Sequence, residues 1–457
     1  MARNQFRGFY IFDTPKTKHM KHPFLLILLF FHFSLFAQES NINSGPMVGY
    51  STMKEVMLWV QTKSEAEVQI RYWVKGNEKE VFSTNAVSTQ KEQGFTAHLL
   101  ADQVLPGNVY EYELYMDDKK MKFDYELSFQ SQTLWQWRTD PPEFSFALGS
   151  CSYTNDEYNR PGKPYGSNHH IFGEILKQDP DFMLWLGDNV YLKEADWDSK
   201  TGIYYRYTHD RSLDELQPLL GSVHHYAIWD DHDYGPNDSD GSYVHKKITE
   251  QAFKDFWANP NYNATGKGGI TGSFQWADCE FFLLDNRYFR SANWNKVSEK
   301  QMLGEDQIEW LINALSASRA AFKFVVTGGV WLNDVPRFER YATYPEEYQR
   351  VMKMLKESNV RGLVFLSGDI HHTELSKKEF EDHYPFYELT TSSLTAGIYE
   401  NDNNDNDYLV DGTEVYEHNF SILEVSGERT KRVLKIKSIN HKGELIWERT
   451  INATDLK

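Results

Sequence analysis

The chain has 457 residues, which is enough for about two or three domains with a large core. Aromatic residues make up 15% of it, and this excludes disorder over most of the length. The formal net charge of -18 argues against nucleic acid or an anionic membrane as a partner, so we expect no nucleic-acid-binding surface. Small anionic substrates stay compatible with this charge, because bound metal ions can invert the local field.

The first 37 residues predict an export signal. Lysines precede an apolar run at residues 24–36, and Ala37 offers a small side chain at the cleavage point. The run is short for a membrane-spanning helix. We therefore expect a periplasmic or secreted protein, cleaved near Ala37, with no transmembrane segment in the mature chain. Either Met1 or Met20 can be the start.

Residues 40–138 predict an all-β domain. Apolar and polar residues alternate along several short segments, which is typical of strands with one buried face. Tyr110 follows a Pro-Gly turn, as at the corner of an immunoglobulin-like or fibronectin type III-like sandwich. We interpret the aromatic residues of this segment as core.

Residues 139–457 predict an α/β domain, because strands there are separated by helical stretches. The predicted strands are 144–148, 182–186, 226–229, 280–284, 322–327, 362–366, 386–390, 420–425, 433–439 and 445–451. The predicted helices are 169–177, 247–258, 305–316 and 346–357. The acidic, amide-rich run at 401–407 lacks the spacing of a calcium loop and is interpreted as a solvated loop.

Four polar clusters each follow an apolar run in this second domain. They are GSC at 149–151, GDNVY at 187–191, WDDHD at 229–233 and GDIHH at 368–372. Each run predicts a buried strand, and polar groups at the ends of strands in one sheet converge in space. This arrangement is typical of a metal-dependent hydrolase. The predicted metal ligands are Cys151, Asp188, Tyr191, Asp231, Asp369 and His371.

The residue types indicate which ions these ligands suit. Asp188 directly follows a strand and can bridge two cations about 3.5–4 Å apart. Tyr191 lies three residues later, and a phenol binds metal well only when deprotonated, which favours a hard ion such as Fe(III). The three carboxylates of WDDHD raise one another's pKa unless a cation neutralises them.

Asp231 and His232 are the predicted catalytic residues. His232 would stabilise the transferring group or protonate the leaving alkoxide, while a metal-bound hydroxide would be the nucleophile. Asp369 and His371 are two residues apart, so in an extended segment both would face the metal pair and His372 would face away.

The two cysteines, Cys151 and Cys279, leave two interpretations open. In an exported protein they can form a disulfide. Alternatively, Cys151 binds metal and Cys279 is a small buried apolar residue. The neighbouring polar clusters favour the second interpretation.

The motifs GSC, GDxxY, WDDH and SGDxH stand here in this order as GSCSY, GDNVY, WDDHD and SGDIHH. From about residue 144 onward the chain resembles the alkaline phosphatase D family of calcineurin-like and purple acid metallophosphatases. The resemblance implies a four-layer sandwich, with two mixed β-sheets packed face to face and flanked by helices.

The same resemblance implies the metals and the reaction. Fe(III) would be held by Cys151, Asp188, Tyr191 and His371. One or two calcium ions would contact Asp188, Asp231 and Asp369, since calcium prefers hard oxygen ligands. The implied substrates are phosphomonoesters and phosphodiesters.

Two features of the sequence qualify the resemblance, and two alternative functions stay open. Arg287 and Arg290, in a segment similar to a family motif, are expected to be structural. The segment KFVVTGGVWLND lacks the histidine that related metallophosphatases place there, and Asn333 or Asp334 would have to compensate. The alternative functions are a phospholipase D-like phosphodiesterase, and a non-catalytic surface protein that binds a ligand and has a structural metal site.

Overall fold

The computed structural model describes residues 41–156, 164–400 and 406–457. The predicted export signal and most of the predicted loop at 401–407 lie outside the described residues. No helix in the described part of the chain is long and apolar enough to cross a membrane.

The strands and helices are numbered in chain order. The strands are β1 (Ile42–Ser51), β2 (Val56–Thr62), β3 (Glu67–Val74), β4 (Phe82–Ser83), β5 (Val87–Ser88), β6 (Thr96–Ala101), β7 (Val109–Met116), β8 (Lys119–Lys120), β9 (Ser128–Gln130), β10 (Phe144–Gly149), β11 (Phe182–Leu186), β12 (His224–Ile228), β13 (Gly272–Trp276), β14 (Cys279–Leu283), β15 (Phe322–Val326), β16 (Leu363–Ser367), β17 (Glu374–Lys378), β18 (Phe386–Thr390), β19 (Asn419–Ser426), β20 (Val433–Asn440) and β21 (Leu445–Asn452). The α-helices are α1 (Ile171–Lys177), α2 (Lys200–Arg211), α3 (Gln217–Ser222), α4 (Asp231–Tyr234), α5 (Lys246–Phe256), α6 (Glu305–Ala317) and α7 (Pro345–Glu357).

Two mixed sheets form the centre of the fold. The first has nine strands in the order β21-β20-β19-β10-β11-β12-β1-β2-β6, and the second has six in the order β13-β14-β15-β16-β18-β17. Strands β10, β11 and β12 run parallel, as do β14, β15, β16 and β18. The predicted α/β class with two mixed sheets is confirmed.

Aromatic side chains pack the two sheets face to face. Phe146 of β10 meets Phe281 of β14 edge-on, with ring centroids 5.3 Å apart. Tyr226 of β12 stacks on Phe274 of β13 at 3.7 Å. Parallel strands covered on both faces are continuously apolar, which explains why the runs at β10, β11, β12 and β16 stand out in the sequence.

The N-terminal β segment contributes to two sheets. β3, β4, β5, β7, β8 and β9 make a separate small sheet. β1, β2 and β6 instead extend the nine-stranded sheet, because β1 pairs in parallel with β12 through Val48 and His224. A second apolar core, which includes Leu58, Ile70 and Tyr112, fills this segment. The division into domains 40–138 and 139–457 stays a proposal, and the nine-stranded sheet contains strands from both of them.

Helix α2 was not predicted from the sequence. Its buried residues include Arg206, Asp210 and Arg211, so the helix has no clean apolar stripe. Arg206 is fully buried and forms ion pairs with Asp156 at 2.8 Å and Asp196 at 2.9 Å. The buried face of α2 is therefore held by charge pairing, which the apolar periodicity of a sequence does not reveal.

Candidate metal centre

The four polar clusters meet at the carboxyl ends of parallel strands. Cys151 follows β10, Asp188 follows β11, Asp231 follows β12 and Asp369 follows β16. Sheets that pack face to face bring these strand ends to one edge of the sandwich. A cavity of about 630 Å³ opens there and is lined by Asp188, Asp231, His232, Asp369 and His371, among others.

The backbone turns sharply at these positions. Cys151, Asp188, Asp369 and His371 have φ angles of 57°, 51°, 72° and 59°. Residues other than glycine rarely adopt this left-handed conformation, and where they do they are often part of functional sites. Each turn directs a side chain across the end of its strand.

The first group of ligand atoms joins Cys151, Asp188, Tyr191 and His371. The Cys151 Sγ lies 3.7 Å from Asp188 Oδ2, and the Tyr191 hydroxyl lies 3.3 Å from both Asp188 Oδ2 and His371 Nε2. The His371 Nδ1 hydrogen-bonds to the carbonyl of Gly397. Donation from Nδ1 leaves the Nε2 lone pair facing the other three ligand atoms, as a metal site requires.

The second group lies beside the first and shares Asp188 with it. Ligand atoms of Asp188, Asp231 and His232 all lie within 4.8 Å of one another. Asp369 forms a similar group with Asp230 and Glu339. The structure thus brings all six predicted ligands, and His232, to one site.

The site has the electrostatics of a cation-binding centre. Burial, and then the charges of Asp231 and Cys151, raise the pKa of Asp188 well above its usual value. Burial likewise raises the pKa of the Tyr191 phenol well above its usual value and that of the Cys151 thiol to about 12. Bound cations reverse this preference, because they favour the ionised forms.

Positive charge beside Asp231 lowers the pKa of its carboxyl group. Burial opposes its ionisation, but His232 and Arg287 outweigh burial and lower its pKa. The Arg287 guanidinium lies 3.8 Å from Asp231 Oδ1. Two buried atoms, Asp230 Oδ2 and His232 Nδ1, make no hydrogen bond to any described residue. Such unsatisfied buried groups fit a site that is completed by ions and substrate.

The third aspartate of WDDHD has a structural role. Burial raises the pKa of Asp233 to about 7, and its carboxylate accepts hydrogen bonds from the backbone amides of Asp230 and Asn189, at 2.9 and 3.0 Å. Asn189 also donates to the carbonyl of Ile228 at 2.7 Å. These contacts tie the loop after β11 to the loop after β12, which sets the separation of Asp188 and Asp231.

Glu339 was missed by the sequence analysis. It pairs with Arg287 and Arg290, and a ligand atom of it lies within 4.8 Å of Asp230 and Asp369. It belongs to a long loop with no strand directly before it, so no strand-end pattern marks it. Arg287 also pairs with Asp230. Both arginines are buried in these ion pairs, in agreement with the expectation that they are structural.

Asn333 and Asp334 do not line the cavity. Asp334 pairs with Lys378 at 2.9 Å instead, and Asn333 accepts a hydrogen bond from the amide of Val335. Gly328, in the same segment, cannot carry a side chain without displacing Asp230, because an added Cβ would lie 2.3 Å from the carboxylate carbon of Asp230. The suggestion that Asn333 or Asp334 compensates is wrong.

His372 is in none of the groups of metal-ligand atoms that the described residues form, which agrees with the expectation that it is not a ligand. It lines the same cavity as His371, with Nδ1 bonded to the carbonyl of Ile370 and Nε2 3.4 Å from Glu374. The rule that residues i and i+2 share a side holds for extended backbone. Asp369 and His371 are left-handed, so the rule does not apply here.

The disulfide interpretation is excluded, since Cys151 and Cys279 are both free and buried. Cys279 begins β14 and is in register with Phe322, the first residue of β15. It therefore lies at the opposite end of the parallel strands from the ligand cluster. Cys151 alone of the two cysteines reaches the candidate metal centre.

Comparisons with known proteins agree with this architecture. The family model described as PhoD-like phosphatase matches residues 146–430. The chain belongs to the PhoD-like phosphatase family. A second model, Domain of unknown function (DUF7800), matches residues 39–134.

Alkaline phosphatase D of Bacillus subtilis (strain 168) is 23% identical over 349 residues, covering 65% of this chain. The match spans 56% of that relative's length. The solved structure of PhoD superposes with a TM-score of 0.72 at 16% identity, over 91% of this chain and 90% of that one. The purple acid phosphatase PPD1 from yellow lupin (Lupinus luteus) gives 0.65 at 12% identity, over 89% and 74%. These two structures share the fold of this chain.

Proposed function

We propose that the protein is an exported, metal-dependent phosphoester hydrolase that cleaves phosphomonoesters or phosphodiesters. The observation that carries the proposal is the meeting of a thiol, a phenol, an imidazole and several carboxylates in one cavity at the strand ends. Family membership supports a phosphatase, and the open cavity beside the ligand atoms supports a site that accepts a substrate. A closed structural metal site would offer no such access.

The ligand chemistry supports Fe(III) at Cys151, Asp188, Tyr191 and His371, because a phenolate and a thiolate suit a highly charged ion. Asp188, Asp231 and Asp369 offer hard oxygen ligands for one or two calcium ions. Metal ions held by these residues would supply a nucleophile from water and neutralise charge on the phosphoryl oxygens.

The protein's own groups would position the reaction. Asp188 is held between the two ligand groups by the backbone amide of His232, which donates to Oδ1 at 3.3 Å. The imidazole of His232 packs on the Tyr191 ring at a centroid distance of 4.2 Å, so its orientation is fixed. We propose that His232 stabilises the transferring group or protonates the leaving alkoxide, and that Asp231 binds metal beside it.

Substitution of Asp231 tests the catalytic assignment. We expect Asp231→Asn to lower kcat/KM for a nitrophenyl phosphate by about 100-fold or more, which exceeds the loss typical of outer-shell partners. Asp382→Asn is the control, since the side chain of Asp382 is 84% exposed and pairs with Lys356 at the surface. An Asp231→Asn enzyme with intact hydrolysis contradicts the proposed function.

Two further measurements decide the finer points. Rates on a nitrophenyl monoester and on a bis-nitrophenyl diester, measured side by side, separate a phosphatase from a phospholipase D-like phosphodiesterase. N-terminal sequencing of the protein from the periplasm or medium tests export, with cleavage expected near Ala37. Recovery of the uncleaved chain in the cytoplasm would contradict that part of the proposal.

A further inference from the structure

The cavity above the metal centre is larger than a phosphoryl group needs. Its volume of about 630 Å³ lies within the range of about 300–1,000 Å³ found for pockets that hold whole small molecules. The carboxylates and histidines occupy its floor, where the strand ends converge. Three exposed aromatic residues, Trp294, Phe338 and Tyr399, line it together with the partly buried Tyr165, and we call the three exposed residues the aromatic rim.

The aromatic rim is unusually exposed. Trp294 is 87% exposed, Phe338 56% and Tyr399 49%. Single exposed aromatic residues are ordinary on protein surfaces. Three of them around one cavity, directly beside a group of ligand atoms, instead mark a place where a ligand covers them.

Two members of the aromatic rim are tied to the metal centre. Phe338 has a φ of 52°, a strained conformation for an aromatic residue, and the next residue, Glu339, is buried against Arg287 and Arg290. The amide of Tyr399 donates to the carbonyl of His371 at 3.2 Å. The Phe338 and Tyr399 rings pack edge-on with centroids 6.1 Å apart. Two distant loops therefore build one aromatic surface.

Trp294 extends from an anchored turn. Its neighbour Asn293 accepts hydrogen bonds from the Tyr344 hydroxyl and from Arg290, and the Tyr344 hydroxyl also bonds to the carbonyl of Ser291 at 3.0 Å. These hydrogen bonds fix the backbone next to Trp294, while its indole ring stays exposed. A rigid, exposed aromatic ring pays little conformational entropy when it binds a ligand.

We propose that the aromatic rim binds a nucleobase, so that the preferred substrates are nucleotides. This inference rests on the proposed function and specifies its substrate class. Water would attack the phosphorus and the bond from phosphorus to the nucleoside oxygen would break. The phosphorus would end in inorganic phosphate if the substrate is a monoester, or in a phosphomonoester if it is a diester. The nucleoside oxygen would take up a proton. The π-faces of the bases stack on aromatic residues with little dependence on sequence.

The other residues of the cavity favour a base over an acyl chain. Arg337, Arg340, Asn237 and Thr343 line it together with the aromatic rim. Guanidinium, amide and hydroxyl groups can hydrogen-bond to the polar edge of a base or to a sugar hydroxyl. An acyl chain would instead need a continuous apolar surface.

A matched pair of substrates tests the proposal on the metal-loaded enzyme. Adenosine 5′-monophosphate and ribose 5-phosphate differ only at C1 of the ribose, where adenine replaces a hydroxyl group. We expect kcat/KM to be higher for adenosine 5′-monophosphate by about fivefold to 100-fold, the range that base stacking supplies. In the double variant Trp294→Ala/Phe338→Ala, the ratio of the two kcat/KM values should fall towards one. Phe338→Leu, which keeps an apolar side chain but removes the ring, should lower the ratio as well.

Trp137→Ala is the control, because Trp137 is 89% exposed and does not line the cavity, and it should leave the ratio unchanged. Equal rates on the two substrates would overturn the inference while leaving the hydrolase assignment in place. A high ratio that survives the rim substitutions would overturn it too. If rim variants lose a preference for long-chain over short-chain phosphatidyl diesters, the occupant is an acyl chain and the nucleobase assignment is wrong. Failure to hydrolyse either substrate, together with inactivity on nitrophenyl esters, would contradict the proposed function itself.

Discussion

Replacement of Gly328 by alanine is expected to disturb the candidate metal centre by displacing Asp230. Gly328 follows β15, and an added Cβ would lie 2.3 Å from the carboxylate carbon of Asp230 and 2.5 and 2.7 Å from its two oxygens. Atoms do not approach so closely, so Asp230 must move. Asp230 accepts hydrogen bonds from Asn286, at 2.8 Å, and from Arg287, and it directly precedes Asp231.

The expected size of the effect follows from these contacts. Overpacking a filled interior costs about 1–3 kcal/mol, and loss of the charge-assisted hydrogen bond to Arg287 adds up to about 3 kcal/mol. We expect urea unfolding of Gly328→Ala to show a lower free energy of unfolding by about 2 kcal/mol or more. Metal content and kcat/KM should fall with it, since Asp231 shifts.

Gly173→Ala is the matched control for this substitution. Gly173 lies within α1, and a Cβ there meets no atom within 4 Å. Because alanine favours a helix, we expect this variant to gain about 0.5–1 kcal/mol of stability. A Gly328→Ala protein with wild-type stability, metal content and activity would refute the account of how Asp230 supports the site.

Two other predictions concern buried charge. Arg287→Met removes a buried guanidinium that pairs with Asp230 and Glu339, and leaves Asp230 without an ion-pair partner among the described residues, so the free energy of unfolding should fall by about 3–5 kcal/mol. Arg350→Met, which removes a surface ion pair, should change it by at most about 1 kcal/mol. Equal effects of the two substitutions in urea unfolding would contradict the assigned role of Arg287. Burial lowers the pKa of His224 to about 4 and of His225 to about 3, against 6.5 in the unfolded chain. Above pH 6.5 both histidines are neutral in the folded and in the unfolded chain. Between pH 6.5 and pH 4 the unfolded chain takes up protons at these rings and the folded chain takes up few. The free energy of unfolding should therefore fall by about 3 kcal/mol per ring at pH 4. Urea unfolding between pH 7 and pH 4 measures this fall in the free energy of unfolding. In His225→Gln the fall should be smaller by the contribution of one ring. If the free energy of unfolding of that variant depends on pH as in the wild type, the His225 ring is already charged in the folded chain.

The strands that carry the site could be predicted from the sequence because they are buried on both faces. The run Phe182–Leu186 was predicted with the same limits that β11 has in the structure. Such strands can be predicted without knowing which strands they pair with, because a continuous apolar run between polar clusters already marks them. The polar residues after them then converge as a geometric consequence of the parallel sheet.

Features that depend on tertiary contacts could not be predicted. The sequence does not show that β1 pairs with β12, because pairing partners are chosen by the whole fold. Glu339 reaches the site through a loop held by Arg287 and Arg290, and no local pattern encodes that path. The left-handed backbone at His371 depends likewise on contacts from elsewhere, such as the Ser392 hydroxyl bonded to its amide.

The most direct test of the central claim combines metal analysis with visible spectroscopy on Tyr191→Phe. If Tyr191 binds Fe(III) as a phenolate, the purified enzyme contains iron and is violet to blue, and Tyr191→Phe loses that absorption because the charge-transfer donor is gone. The hydroxyl of Tyr191 lies 3.3 Å from Asp188 and from His371, so its removal deletes a ligand without altering the ring packing. A colourless, iron-free wild-type enzyme with full activity would contradict the account.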